Sequence, residues 1–196
     1  GFRYIQVIGA KPTVDQLTGV VIHSDLDPTG SFFCSDPLIN QLQSNLQWGQ
    51  KGNFLDIPTD CPQRDERAGW TGDAQEFSMT AAYNFDVATF YAKWLKDLAA
   101  DQLPDGMVPH VIPDVWEGKG GATAWGDAAT VIPWTVYRSY GDVRLLAEQY
   151  ASMKAWVDFM DGRAGEDRLW NNIKDWHWGD WLAFTTDKPD YARSVT

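Results

Sequence analysis

The spacing of apolar residues changes near residue 36, and this change predicts two kinds of structure. Before it, β-branched and aromatic runs bounded by Gly, Pro and Asp ("FRYIQVIG", "LTGVVIHSDL", "GSFFCS") are typical of strands. Three short strands cannot form an independent sheet with both faces covered. We therefore predict that residues 1–34 are the C-terminal strands of a β-sandwich domain that begins upstream of this sequence.

After this point the apolar residues recur every three or four positions, which predicts amphipathic helices. Asp36 and Pro37 are typical of an N-cap followed by the first helical residue, and the helix they begin should extend to about Lys51. Its predicted apolar stripe consists of Leu38, Leu42 and Leu46. These features predict a first helix with one buried face.

Three further helices are predicted downstream. A long one should run from about Asp73 to Gln102, and a third, Thr123 to Tyr140, is apolar nearly all round and should be buried. Asp142 is expected to cap the fourth. The predicted core stripe of that helix consists of Leu146, Tyr150, Met153, Val157 and Met160.

The Pro- and Gly-rich stretch "LPDGMVPHVIPDVWEGKGGA" is predicted to be a long loop. Loops of this length in a compact domain are usually functional or disordered, and the Val, Ile and Trp content argues against disorder. Helical hairpins stacked around an axis, with chemically rich loops at one end, would give such connections. An ordinary helical bundle would have short connections throughout. The predicted fold class is mainly α.

The amino-acid composition indicates which classes of ligand the protein can bind. The 11 Trp residues favour sugar binding, because a flat ring can cover the apolar face of a pyranose, although a core of large helices explains them equally well. A net charge of −11 offers no basic stripe for nucleic acid and disfavours anionic membrane surfaces. No apolar run approaches the roughly 20 residues needed to span a bilayer.

The thiols and imidazoles suggest no cofactor. Cys34 and Cys61 cannot make a disulfide framework, and three scattered histidines make a zinc site unfavourable. A nucleophilic Cys61 acting with a distant histidine is an alternative that the sequence does not favour. We therefore expect neither a metal nor a cofactor.

The stretch "DCPQRDERAGWTGDAQ" carries four acidic residues and two arginines. Glu66 could act as a general acid, which at neutral pH needs a pKa raised by burial and neighbouring carboxylates. Gly69 and Gly72 would allow close backbone approach, and Asp73 is a natural helix N-cap. Carboxylates and Trp70 in one loop favour a glycosidase, while a sugar-binding surface without catalysis stays open.

Together with "GVVIHSDLDPTGSFFCSDPLINQL", "PDGMVPHVIPD", "AWGDAATVIPW" and "GDWLA", this stretch resembles bacterial α-L-rhamnosidases of the inverting, (α/α)6-barrel type. The resemblance spans essentially the whole chain in order. It implies that residues 35–196 are the N-terminal portion of such a barrel, incomplete here, and that a β-sandwich precedes it. It also implies hydrolysis of terminal α-L-rhamnosyl linkages in glycosides or polysaccharides.

The resemblance also implies roles for individual residues. Glu66 matches the general acid that protonates the leaving glycosidic oxygen. The positions that match the sugar subsite are Asp60, Arg64, Trp70, Asp73, Trp125, and Trp176 or Trp181 in the aromatic tail. Trp125 and Trp181 could instead be core residues, and Asp127 and Asp180 could be helix caps.

The general base of that family is a Glu beyond Thr196, and nothing in this chain matches its motif. Asp114, Glu117 and Asp175 lie in predicted loops near the site, but we assign none of them the role. We therefore expect the 196-residue chain alone to be inactive. A carbohydrate-binding helical domain, or another (α/α)6 glycosidase or lyase, is the alternative.

Overall fold

The fold was examined in a computed structural model that describes residues 2, 4–166, 168–170, 175–179 and 181. Five α-helices dominate these residues, with one short 3₁₀ helix, Val14–Gln16, ahead of them. The helices are α1 (Pro37–Asn53), α2 (Thr71–Asn84), α3 (Ala88–Asp101), α4 (Ala128–Tyr140) and α5 (Val143–Arg163). Two-residue strands, β1 (Phe54–Leu55) and β2 (Ile57–Pro58), pair antiparallel after α1. None of the described helices is both long and apolar enough to cross a membrane.

The core forms where α4 packs against α2, α3 and α5. Its largest fully buried side chains include Trp94 and Tyr91 of α3 and Trp156 of α5. Residues 102–127, between α3 and α4, are irregular, as predicted for residues 103–122, yet Val111 and Ile112 in this segment are fully buried. The long loop is thus a packed part of the fold.

Helix α1 begins as predicted but does not bury the predicted face. The Asp36 carboxylate accepts a hydrogen bond from the Leu38 amide at 2.8 Å, which confirms the N-cap. Leu38 and Leu42, however, are 78% and 56% exposed. The one buried residue of α1 is Gln50, whose amide donates to the Ala81 carbonyl on α2.

The predicted long helix is wrong, because the chain breaks into α2 and α3 at Phe85–Val87. Phe85 has an extended backbone, with φ −142° and ψ 156°. Asp86 accepts from the Ala88 amide, and Val87 donates its amide to the Tyr140 hydroxyl at 2.9 Å. Apolar residues keep a helical spacing through the break because α2 and α3 line the same core. The spacing therefore does not predict the turn between the two helices.

The third helix begins at Ala128, five residues later than predicted. Residues 123–127 form turns, in which the Asp127 carboxylate accepts from the Ala124 amide and from the Trp156 indole. The prediction that this helix is buried is wrong for one of its faces, where Trp134 is 52% exposed.

Helix α5 starts at the predicted cap, since Asp142 accepts from the Leu145 amide. Its predicted core stripe is wrong: Tyr150 and Val157 are 65% and 48% exposed. The buried face lies on neighbouring positions, namely Leu145, Gln149, Ser152, Trp156 and Phe159. The Gln102 side chain donates to the backbone carbonyl of Ser152 at 3.2 Å, so the segment after α3 packs against this face. Hydrophobicity alone therefore points to the wrong face.

The strands predicted before residue 35 are not observed. Among the described residues there, the only β contact is a single bridge between Pro28 and Phe85. Tyr4, Ile8 and Phe33 are each more than four-fifths exposed. A strand needs the backbone of a partner strand, and none of the described residues supplies one. The assignment of residues 1–34 to a β-sandwich domain stays a proposal.

Candidate active site

The charged stretch folds as a loop that is held at both ends. The Asp60 amide donates to the Ala68 carbonyl at 3.0 Å, and the Ile112 amide donates to the Gly69 carbonyl at 2.9 Å. A Cβ at Gly69 would lie 2.2 Å from the Ile112 carbonyl oxygen, and one at Gly72 would lie 2.6 Å from the Trp125 ring. The predicted close approaches are confirmed at both glycines.

Asp73 is not the N-cap that the sequence predicts. Helix α2 begins at Thr71 with Trp70 in the cap position, which places Asp73 in the first turn. Its negative charge is favourable there because of the helix dipole. The Asp73 side chain is consequently available to the cavity described next.

A cavity of about 250 Å³ lies between this loop, the long loop and the aromatic tail. Its lining residues are Asp60, Arg64, Glu66, Trp70, Asp73, Trp116, Trp125, Trp178 and Trp181. The structure thus brings together every site residue predicted from the sequence except Trp176. That residue is 57% exposed and lies outside the lining, with its ring centroid 5.6 Å from that of Trp178.

Sequence reasoning missed two lining residues, Trp116 and Trp178. Both lie in segments that it marked as functional, the long loop and the aromatic tail. In "WHWGDW", Trp178 and Trp181 line the cavity and Trp176 does not. Residue spacing in an irregular segment does not predict which tryptophan faces a pocket. Asp180 in this segment lies outside the described residues.

The Glu66 carboxylate is held by two donors. The Trp70 indole nitrogen donates to it at 2.6 Å, and the Arg64 Nε donates to it at 2.9 Å. The pKa of Glu66 is therefore lowered, mainly by the Trp70 hydrogen bond and further by Arg64. The expected raised pKa is wrong for this arrangement, because the nearest partners of Glu66 are donors rather than carboxylates.

Asp73 is the carboxyl group of this site whose pKa is raised. Burial of the group is the main cause, and the negative charge of Asp60 adds to it. Asp60 and Asp73 also line a second, larger cavity of about 530 Å³ between α1 and α2. The two aspartates thus stand where the two cavities approach each other.

Asp60, Cys61 and Glu66 are the described residues whose spacing could suit a metal ion, with ligand atoms within 4.8 Å of one another. The Arg64 guanidinium already lies 3.5 Å from Asp60 and 2.6 Å from Glu66, and its positive charge opposes a cation. The pKa of Cys61 is raised to about 11, chiefly by burial, so its thiol stays protonated. The same raised pKa argues against a nucleophilic role. We assign no metal here.

Aromatic rings form the wall of the cavity. The ring of Trp178 lies edge-on to Trp70 at 5.2 Å and to Trp181 at 5.2 Å, while Trp116 is edge-on to Trp70 at 4.8 Å. The Trp178 indole donates to Nδ1 of His110 at 3.3 Å. Burial lowers the pKa of His110 to about 4, so this imidazole is a neutral acceptor. Such a wall suits the apolar face of a sugar ring.

The other loop acids do not line the cavity. Asp114 accepts from the amides of Trp116 and Gly118, and so holds the turn that carries Trp116. Asp175 accepts from the Trp170 indole at 2.7 Å. These contacts give both carboxylates a local structural role, and Glu117 is likewise outside the lining.

Comparison with known proteins gives one consistent family. The model of the bacterial alpha-L-rhamnosidase 6 hairpin glycosidase domain matches residues 27–195. An alpha-L-rhamnosidase of Formosa agariphila is 48% identical over 161 residues, which is 80% of this chain and 17% of the relative. One from Streptomyces avermitilis is 42% identical over 191 residues, 96% of this chain and 18% of the relative.

Solved structures agree. The alpha-L-rhamnosidase from Dictyoglumus thermophilum superimposes with a TM-score of 0.86 at 37% identity, over 94% of this chain and 21% of that one. The Streptomyces avermitilis enzyme, solved in complex with L-rhamnose, gives 0.86 at 40% identity, over 94% and 18%. The chain spans about a fifth of the length of the relatives it matches.

Proposed function

Because this chain belongs to the bacterial α-L-rhamnosidase six-hairpin glycosidase family, we propose that the full-length protein hydrolyses terminal α-L-rhamnosyl linkages. The substrates are rhamnose-containing glycosides or polysaccharides, and the anomeric configuration is inverted. The observation that carries this proposal is the cavity in which Glu66 lies among two aspartates, an arginine and a tryptophan wall.

Glu66 is the proposed general acid, which protonates the glycosidic oxygen as the bond to the anomeric carbon breaks. It must be protonated for this step, whereas Arg64 and Trp70 stabilise its carboxylate in the present arrangement. The Arg64 side chain is 60% exposed and so is free to turn from Glu66 towards a sugar hydroxyl. Loss of the ion pair would raise the pKa of Glu66 as substrate enters.

Asp60 and Asp73 are proposed to hold the hydroxyl groups of the rhamnose ring. Among the described residues, the buried Oδ1 of Asp60 has no hydrogen-bond partner, so a ligand hydroxyl would satisfy it once a neighbouring side chain moves aside. Trp70, Trp125 and Trp181 would cover the apolar face of the sugar. Each of these contacts orients the anomeric carbon towards Glu66.

Inversion needs a second carboxylate about 6.5–9.5 Å from the acid, with a water molecule between them. We propose that this general base lies in a later segment of the longer protein, because Asp114 and Asp175 are engaged in their own loops. The 196-residue chain would then bind sugar without turning it over.

The test is Glu66→Gln in the full-length protein, assayed with an aryl α-L-rhamnoside. We expect kcat to fall by about 10²–10⁴-fold, the usual contribution of a general acid, with L-rhamnose binding retained in calorimetry. Asp65→Asn is the matched control, since its exposed side chain neighbours Glu66 but lies outside the cavity. Unchanged turnover in Glu66→Gln would remove the acid assignment, and sugar binding without turnover in the wild-type protein would favour a binding domain.

A further inference from the structure

Among the described residues, Cys61 contacts the carboxylates of the site, and the proposed function gives it no role. Its side chain is buried, with 7% of the residue exposed, and its thiol donates to Oδ2 of Asp60. The Glu66 carboxylate lies within 4.8 Å of the same sulfur. A single thiol therefore lies beside both the proposed acid and a proposed sugar-binding carboxylate.

The charges of the site make such a neutral donor useful. Asp60, Glu66 and Asp73 all line the cavity, while Arg64 is the only cation among the described residues that line it. Arg64 is mostly exposed, and it lies closer to Glu66 (2.6 Å) than to Asp60 (3.5 Å). Asp60 consequently depends on a second donor to fix its orientation, and the thiol is that donor.

The contact to one carboxylate oxygen also fixes the other. When Oδ2 is held, the plane of the Asp60 carboxylate is set, and so is the position of Oδ1, which is buried and has no partner among the described residues. The backbone of Asp60 is anchored at the same time by its bond to the Ala68 carbonyl. A preset acceptor binds a hydroxyl with little loss of side-chain freedom.

We propose that Cys61 is a positioning residue of this site, whose thiol orients the Asp60 carboxylate for a hydroxyl group of the sugar. The proposal rests on the proposed function, because it takes Asp60 as a sugar-binding group. The thiol keeps its proton across the working pH range, since burial and the charge of Asp60 raise the pKa of Cys61 to about 11.

The experiment compares Cys61→Ala and Cys61→Ser in the full-length protein. Cys61→Ala should weaken L-rhamnose binding in calorimetry and raise KM for an aryl α-L-rhamnoside, each roughly tenfold, with a much smaller change in kcat. Cys61→Ser keeps a donor and should restore most of the affinity. Cys34→Ala, at the half-buried cysteine outside the cavity, is the matched control and should match the wild type.

Equal losses in the alanine and serine variants would overturn the proposal, because packing rather than hydrogen bonding would then explain them. Wild-type affinity in Cys61→Ala would overturn it as well. If the alanine variant does not fold, Cys61→Val fills the space without a donor and should show the same tenfold loss. The test of Cys61 is independent of the test of Glu66, because calorimetry measures rhamnose affinity and not turnover. Whether Glu66→Gln abolishes or spares turnover does not change the affinities of the Cys61 variants.

Discussion

Two of the described segments that lie outside the α-helices differ in what surrounds them. Residues 102–127 bury Val108, Val111 and Ile112 against the helical core. Residues 4–35 leave Tyr4, Ile8 and most of their other large apolar side chains in solvent. The exposed segment contains ten β-branched residues and the packed one five, so β-branched content does not explain which of them packs. Packing partners decide whether an irregular segment becomes a rigid support for a site.

The largest expected effect comes from crowding the packed segment. A Cβ at Gly120 would lie 2.3 Å from the Val108 carbonyl oxygen, so Gly120→Ala must displace backbone and should cost about 3 kcal/mol of folding free energy. Denaturation followed by tryptophan fluorescence measures the loss. Gly162→Ala, with open space around the site on α5, is the matched control and should not destabilise the protein. Equal stability of the two variants would mean that residues 102–127 are not packed as described.

An effect of similar size should appear as a dependence of stability on pH. Burial depresses the pKa of His110 from 6.5 to about 4 in the folded chain, so between these values the unfolded chain binds a proton that the folded chain does not. Stability should therefore fall as pH drops from about 6.5 to 4, by an amount on the order of 3 kcal/mol from this residue.

The variant His110→Gln tests that origin. It keeps a polar side chain near Trp178 but has no proton to gain, so its stability should decline less steeply over the same pH range. An unchanged slope in the variant would contradict the proposal that His110 is held neutral beneath the tryptophan wall. Measurements at pH 8 give the cost of the substitution itself, which is then subtracted.

The smallest expected effect concerns the exposed N-terminal segment and is a difference in amide hydrogen exchange. If residues 1–34 belong to a β-sandwich, then residues 17–26 should exchange their amide hydrogens slowly in the full-length protein, because partner strands would bind them. In the 196-residue chain most of these amides should exchange fast, because among the described residues only the Leu17 and Ser24 amides have hydrogen-bond acceptors, the Val14 and Phe54 carbonyls. Fast exchange in both proteins would remove the β-sandwich proposal.

The sequence predicts the local signals of this fold well. Asp36 and Asp142 cap helices where they were expected, and the approaches at Gly69 and Gly72 are as close as expected. The caps depend on neighbouring residues, whose chemistry is visible in the sequence, whereas the glycines meet Ile112 and Trp125 of the long loop, which the sequence does not identify as partners. Most of the predicted site residues share one cavity for the same reason, because they come from one short motif.

The predictions that were wrong depend on tertiary contacts. The break at Phe85 needs Tyr140 from a distant helix as a hydrogen-bond partner, and the buried face of α5 includes Gln149 and Ser152 because the long loop lies against it. The lowered pKa of Glu66 likewise depends on which way Trp70 and Arg64 turn. The spacing of residues along the sequence does not predict such distant contacts or side-chain orientations.

The most direct test of the central claim, that Glu66 donates the proton, varies the leaving group. In the full-length protein, Glu66→Gln should lose most of its activity towards an alkyl α-L-rhamnoside, whose leaving oxygen needs protonation. It should retain far more towards 2,4-dinitrophenyl α-L-rhamnoside, whose leaving group departs as a stable anion. Equal losses with the two substrates would contradict the role of Glu66 as general acid.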